Sequence, residues 1–167
     1  MNHELFHEVE QFVHREARLA DESVYAEWEE LLAPDAHYWV PNGPATGDPA
    51  AQVSYINDNR SRIASRIRQL QTGRRHAQTP PSPMRRIVSN LEVEAVTGDG
   101  FGEADEIVAR SNFVLYELAV QSTHQLRVWP GRCTHRLRRT DGHLLIAAKW
   151  VELVTAGEAQ SSLTFLI

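Results

Sequence analysis

The stretch RRIVSNLEVEA, residues 85–95, is where the periodicity of the chain changes. From Arg85 onward Ile87, Ser89, Leu91, Val93 and Ala95 alternate with mostly polar neighbours, the period of two that marks a strand with one buried face. Downstream the same signal repeats. The glycines of TGDGFG (97–102) mark a turn, and Ile107–Leu118 reads as a long strand rich in β-branched and aromatic residues. Gln125–Arg139 reads as another, with a bulge expected at Pro130-Gly131. Asp141-Gly142 is a hairpin turn by composition, Leu144–Val154 the returning strand, and Ser161–Ile167 a last strand.

Upstream the period is longer. Leu5, Val9, Phe12, Val13, Ala17 and Ala20 recur at three- and four-residue spacing and form the apolar face of a helix. Tyr25, Trp28, Leu31 and Leu32 point inward from a second, short helix. Ala33-Pro34-Asp35 ends it, because the residue before proline is pushed out of the helical region. His37–Val40 is a strand closed by Pro41, and PNGPATGD (41–48) a loop. Asp48 before Pro49 has the chemistry of a helix start. The spacing of Val53, Ile56, Ile63, Ile67 and Leu70, with Arg60 on the same stripe, predicts one helix up to Gly73. The proline-rich RRHAQTPPSPM (74–84) is a loop.

Helices first, then a run of long antiparallel strands, is the α+β pattern. Long bent strands behind an N-terminal helix fit a strongly curved, mostly antiparallel sheet with the helices packed inside it. That is the cone of the nuclear-transport-factor-2-like (NTF2-like), or SnoaL-like, fold, reached here by analogy. At 167 residues the expectation is a single domain, 1–167.

No apolar run reaches the length of a membrane span. No basic leader precedes an apolar stretch, so a cytoplasmic protein is expected. One cysteine rules out an intrachain disulfide. Residues 1–50 carry a net charge of −9, residues 51–90 of +7 and residues 91–167 of −3. Arg60, Arg62, Arg66, Arg68, Arg74 and Arg75 make a basic stretch, yet the pI is about 5.9, against the basic footprint of a nucleic-acid binder. Opposite-sign segments pair with each other or with a sister subunit. Sixteen of the 17 basic residues are arginine, and Lys149 is the single lysine.

Cys133 and His135, within WPGRCTHRLRRTDG (129–142), form a C-x-H, half the ligand set of a Rieske cluster. A second pair of ligands needs another cysteine, and none exists. On a strand Cys133, His135 and Leu137 share one face, so a buried thiol beside a polar-tipped imidazole explains the motif. His3 and His7 have metal-compatible spacing on the first helix without a third ligand, and read as exposed residues of a helix start. An iron site of two histidines and a carboxylate, built from His37, His135 and a distant acid, has no support in spacing. Acid–base catalysis in the hollow of the cone is the enzymatic alternative, an isomerase- or dehydratase-type chemistry. Asp21, Asp35, His37, Tyr38 and Tyr116 are its candidates, and alternation lets at most half face inward. No nucleophile elbow, phosphate-binding loop or dinucleotide fingerprint is present.

Seven segments in order, REARLADE (15–22), AEWEELLAPDAHYWVP (26–41), YINDNRSRIASRIRQLQTG (55–73), PPSPMRRIVSN (80–90), ARSNFVLYE (109–117), RLRRTDGHLLIAAKWVEL (136–153) and SLTFLI (162–167), resemble the small (β) subunit of aromatic-ring-hydroxylating, Rieske non-haem iron dioxygenases. The loop 41–52 and WPGRC (129–133) are the least family-like parts. The resemblance implies a non-catalytic, structural subunit with no cofactor, metal or catalytic residue of its own. It implies a large (α) subunit carrying a Rieske [2Fe-2S] cluster and mononuclear Fe(II), commonly in an α3β3 assembly. Electrons arrive from NAD(P)H through a separate reductase, often with a ferredoxin, and an aromatic ring is cis-dihydroxylated. Trp39 and the arginines Arg74, Arg75, Arg85 and Arg86 are expected at subunit contacts, the alternative being that these arginines cap carbonyls within the chain.

Overall fold

The computed structural model describes residues 3–73, 79–96 and 106–167. Arg74, Arg75 and the whole of the turn expected at 97–102 lie outside them. Among the described residues the chain forms α1 (His3–Asp21), α2 (Tyr25–Glu30), β1 (Leu32–Pro41), β2 (Ser54–Asn59), α3 (Arg60–Gln71), β3 (Met84–Val96), β4 (Glu106–Leu118), β5 (Leu126–Thr140) and β6 (His143–Leu153). The six strands make one sheet in the order β2-β1-β6-β5-β4-β3. Every neighbouring pair is antiparallel except β1 with β6. The sheet is curved and does not close, and the helices pack against its inner face, as the change of period implies.

The inner face carries the alternate residues of each strand. Ile107, Ala109, Phe113 and Leu115 of β4, Trp129, Cys133 and Leu137 of β5, and Leu144, Ile146, Val151 and Leu153 of β6 are all buried in one core. Val9, Val13, Leu19 and Ala20 of α1 and Ile63 and Ile67 of α3 meet them. Burying a side chain of this size is worth roughly 1.5–3 kcal/mol, so this face holds the fold together.

Three expectations change. Residues 49–59 are not helical: Asp48 Oδ1 accepts only from Ala50 N, 2.9 Å, closing a turn, and Ser54–Asn59 pairs with β1 from His37↔Asn59 to Pro41↔Ser54. The helix begins after Asn59, whose side chain accepts from Arg62 N. Tertiary pairing along β1 overrides the helical spacing of Val53 and Ile56. Residues 161–167 are not a strand either; Phe165, Leu166 and Ile167 are buried in the open side of the cone as an irregular segment. The third change concerns bulges. β5 pairs with β4 without a break through Pro130-Gly131. Gly131 instead marks a close approach: a Cβ there would lie 2.7 Å from the Glu152 carbonyl oxygen and 2.8 Å from the Phe113 ring. Register shifts fall between Ser89 and Glu92 in β3 and between Ile146 and Ala148 in β6.

The β3 shift alters the reading of the opening stretch. Asn90 adopts φ 51°, a left-handed conformation that asparagine tolerates, and the extra residue reverses the inward parity. After it Leu91 and Val93 pack on the core, as the alternation implies; before it Val88 does, and Ile87 stands 60% exposed. The same reversal carries Arg86 inward.

Candidate functional site: the interior of the cone

Glu16 lies on the apolar stripe of α1, three residues after Val13 and seven after Val9, so the helix delivers its carboxylate into the core. It is 2% exposed. Its Oε1 accepts from Trp28 Nε1 of α2 at 2.6 Å and from Lys149 Nζ of β6 at 2.6 Å. Its Oε2 stands 3.6 Å from His135 Nε2 of β5. Register places His135 directly opposite Lys149, so two neighbouring strands present both bases to one carboxylate. The Lys149 ammonium also lies 5.8 Å from the ring centres of Trp28 and Tyr38, a partial aromatic cage for a cation. Tyr38 Oη donates to the Ile167 main-chain oxygen at 2.9 Å and accepts from Ile167 N–H at 3.0 Å.

A second buried pair closes the adjoining side. Arg86 Nε donates to Asp21 Oδ1 at 2.7 Å and Nη2 to the Leu166 carbonyl at 3.0 Å. Asp21 Oδ2 accepts from Arg86 N, 2.7 Å, capping a main-chain donor on the sheet-edge strand. Both side chains are nearly buried, 5% and 6% exposed.

Electrostatics follows from the packing. Burial alone would raise the Glu16 carboxyl, but Lys149, His135 and, further off, Arg86 outweigh it and hold it well below the usual carboxylate range. Burial alone would lower His135; the Cys133 sulfur, 3.7 Å from the ring nitrogens, and the Glu16 carboxylate push it up to about 9. Burial raises the Tyr38 phenol strongly. A carboxylate held ionised by a cation is a poor proton acceptor, and a phenol held neutral is a poor nucleophile.

The remaining space at this cluster is a cavity of about 20 Å³ lined by Glu16, Arg86, Ser111, Cys133, His135 and Lys149, among others, room for roughly one water molecule. Small-molecule sites run to roughly 300–1,000 Å³. Cys133, His135 and Glu16 approach one another, but the Lys149 ammonium already occupies the carboxylate, so a metal cation does not fit. Among the described residues no group of three histidine, cysteine or acidic side chains is arranged to hold a metal.

Of the five acid–base candidates only Asp21 and Tyr38 face the interior, and both are held by structural partners. Asp35 is on the outer surface, paired with Arg138 at 3.0 Å. His37 bonds Asn57 Oδ1 at 2.8 Å. Tyr116 is 38% exposed on the outer face. His7 is exposed beside Glu10 on α1, and His3 is exposed. Of the residues expected at subunit contacts, Trp39 is fully buried and donates from Nε1 to Ser54 Oγ at 2.8 Å. Arg86 is committed to Asp21, whereas Arg85 is exposed and bonds only the Met84 carbonyl. Residue-level reading missed Glu16, Trp28's role and Lys149. The signal existed: a glutamate on a helix's apolar stripe, and the single lysine inside the apolar run LLIAAKWVEL (144–153).

A curved, unclosed mixed sheet folded over helices, its hollow filled by ion pairs, places the chain in the NTF2-like class. A solved structure described as a putative scytalone dehydratase from Novosphingobium aromaticivorans shares that fold, with TM-score 0.62 and 14% identity over 93% of this chain and 89% of that one. Residues 15–157 match the family model described as "Ring hydroxylating beta subunit", and the chain belongs to that family. It is 33% identical, over 85% of its own length and 75% of the relative's, to the small oxygenase component of the p-cumate 2,3-dioxygenase system of Pseudomonas putida. The structure of a naphthalene 1,2-dioxygenase with indole bound superposes with TM-score 0.79 at 16% identity, covering 100% of this chain and 88% of that one.

Proposed function

We propose that the chain is the structural β subunit of the terminal oxygenase of an aromatic-ring-hydroxylating dioxygenase, and performs no chemistry of its own. In this reading a large subunit carries the Rieske [2Fe-2S] cluster and the mononuclear iron. A reductase, with or without a ferredoxin, delivers electrons from NAD(P)H, and the complex works in the cytoplasm as α3β3. The observation that carries the reading is the filled cone: the place where relatives of this fold class can hold a substrate is occupied by Glu16, Lys149, His135 and Trp28. The alternative, a stand-alone acid–base enzyme, requires a substrate-sized hollow beside a free acid or base; the space at Glu16 and His135 has room for roughly one water, and the adjoining hollow of about 310 Å³ is lined by Asp21, already committed to Arg86.

Arg85 is the expected contact residue best placed to meet a partner directly. Arg74 and Arg75 remain candidates on sequence alone. Trp39 and Arg86 spend their polar atoms inside the chain, so we assign them an indirect part, fixing the backbone beneath the contact. The test is purification. The isolated chain should be colourless and metal-free, while its complex with a large oxygenase subunit carries iron and oxidises an aromatic ring. Stoichiometric metal bound to the isolated chain, or turnover by it alone, overturns the reading.

A further inference from the structure

Three polar groups inside the cone lack a partner at ordinary distance, and all three face one space. Ser111 of β4 is 3% exposed, and its hydroxyl forms no hydrogen bond among the described residues. It lies on the inner face, directly opposite Cys133 of β5. Glu16 Oε1 takes two donors at 2.6 Å. Its Oε2 has the His135 ring at 3.6 Å, too long for a direct hydrogen bond. His135 is 2% exposed and meets no closer oxygen acceptor among the described residues. Cys133 Sγ stands 3.7 Å from Nδ1 and from Nε2 alike. Equidistant from both, the sulfur lies along neither ring N–H direction. A buried polar group left unpaired is costly, and a polar contact longer than about 3.5 Å raises the question of a bridging water.

The space these groups face is the cavity of about 20 Å³, lined by Ser111, Glu16, His135, Cys133, Arg86 and Lys149 and flanked by apolar side chains such as Val13 and Phe113. One water needs roughly 10–15 Å³ and about three hydrogen bonds. We infer that this cavity binds one water molecule, which accepts from the His135 ring N–H, donates to Glu16 Oε2 and bonds the Ser111 hydroxyl. Chemistry favours water over a small anion. Arg86 and Lys149 line the cavity, yet their charges are committed to Asp21 and Glu16. Glu16 Oε2 and Cys133 Sγ are acceptors, and a halide has no proton to give them, whereas water donates and accepts at once. The bridge joins α1, β4 and β5 at one point. It also gives Ser111, which bonds no member of the ion cluster directly, a part in holding it. The inference concerns the interior alone and is independent of which partner the chain binds.

The test is a high-resolution crystal structure of the full chain, with oxygen-17 relaxation dispersion of the solvent to count long-lived waters. The wild type should show one density peak within about 3.2 Å of Ser111 Oγ, a His135 ring nitrogen and Glu16 Oε2. S111A keeps the space and should keep the peak. S111V fills the space with methyl groups, so it should lose the peak and one long-lived water. It also leaves His135 and Glu16 Oε2 unpaired, and should melt below S111A by at least about 2 °C. With no water to displace, the order would reverse, because filling an empty cavity stabilises. Wild-type crystals without a peak there overturn the inference, and that map decides even where S111V fails to fold. An S111V that melts at or above S111A overturns it as well. So does an anomalous bromine peak in the cavity of crystals grown in bromide, which makes a halide the occupant.

Discussion

The two faces of one sheet handle polarity in opposite ways. On the inner face charges are few and engaged: Glu16 meets Lys149, Trp28 and His135, and Asp21 meets Arg86, all within the buried core. On the outer face the charges pair at half-exposed positions and the apolar side chains are left bare. A pocket enzyme of this shape would show the reverse, with unsatisfied polar groups inside a hollow and a finished exterior. Here the interior is complete and the exterior is not, which is what a scaffold subunit requires.

The largest expected effect is inside. K149M leaves the Glu16 carboxylate buried without its cation and should cost about 3–5 kcal/mol, because an uncompensated buried charge is strongly destabilising. Chemical denaturation measures this. E16L/K149M should recover most of the loss, since replacing both members of a buried pair with apolar groups is often neutral. R86A should likewise cost about 3 kcal/mol by stranding Asp21, whereas R85A, at an exposed position, should stay within about 0.5 kcal/mol. Equal effects at these neighbours would erase the contrast between the faces.

Titration sharpens the same contrast. His135, raised in the folded state, contributes stability that is full below its unfolded value of about 6.5 and is lost as pH rises through about 9. Glu16, depressed when folded, contributes stability that is present above its unfolded value and lost on acidification through its lowered one. Denaturation midpoints should therefore fall on both sides of neutrality, and H135N should remove most of the alkaline limb. The smallest effect belongs to the outer ladder. R138A, which breaks a pair with Asp35 at 40% and 62% exposure, should change stability by less than about 0.5 kcal/mol.

How far the sequence reveals this differs by element. The helices of 3–30, β3 beyond Asn90 and the strands β4 to β6 are legible because their periodicity agrees with their burial, and Asp141-Gly142 forms the expected hairpin with both residues at positive φ. β2 is not, because Val53, Ile56, Ile63 and Ile67 mimic one helical stripe while pairing with β1 decides the outcome. Asn90 conceals a one-residue shift that no propensity announces, and it exchanges Ile87 for Arg86 on the inner face. The C-terminal SLTFLI has the composition of a strand; its apolar end is drawn into the core without a ladder partner. The ion cluster was half visible. Strand alternation puts His135 on the face of Cys133 and Leu137, whereas Glu16 and Lys149 reveal themselves only when charged residues on apolar stripes are treated as signals. The bare apolar side chains of the outer face come together only through cross-strand register, which a linear reading does not contain.

The most direct test of the division between a structural interior and a docking exterior is the ring-oxidation rate per iron of the assembled oxygenase containing E16L/K149M. With the cluster acting only as structure, the complex should assemble and turn over at the wild-type rate. A complex that assembles normally, keeps its iron and loses turnover would put chemistry back inside the cone and contradict the account.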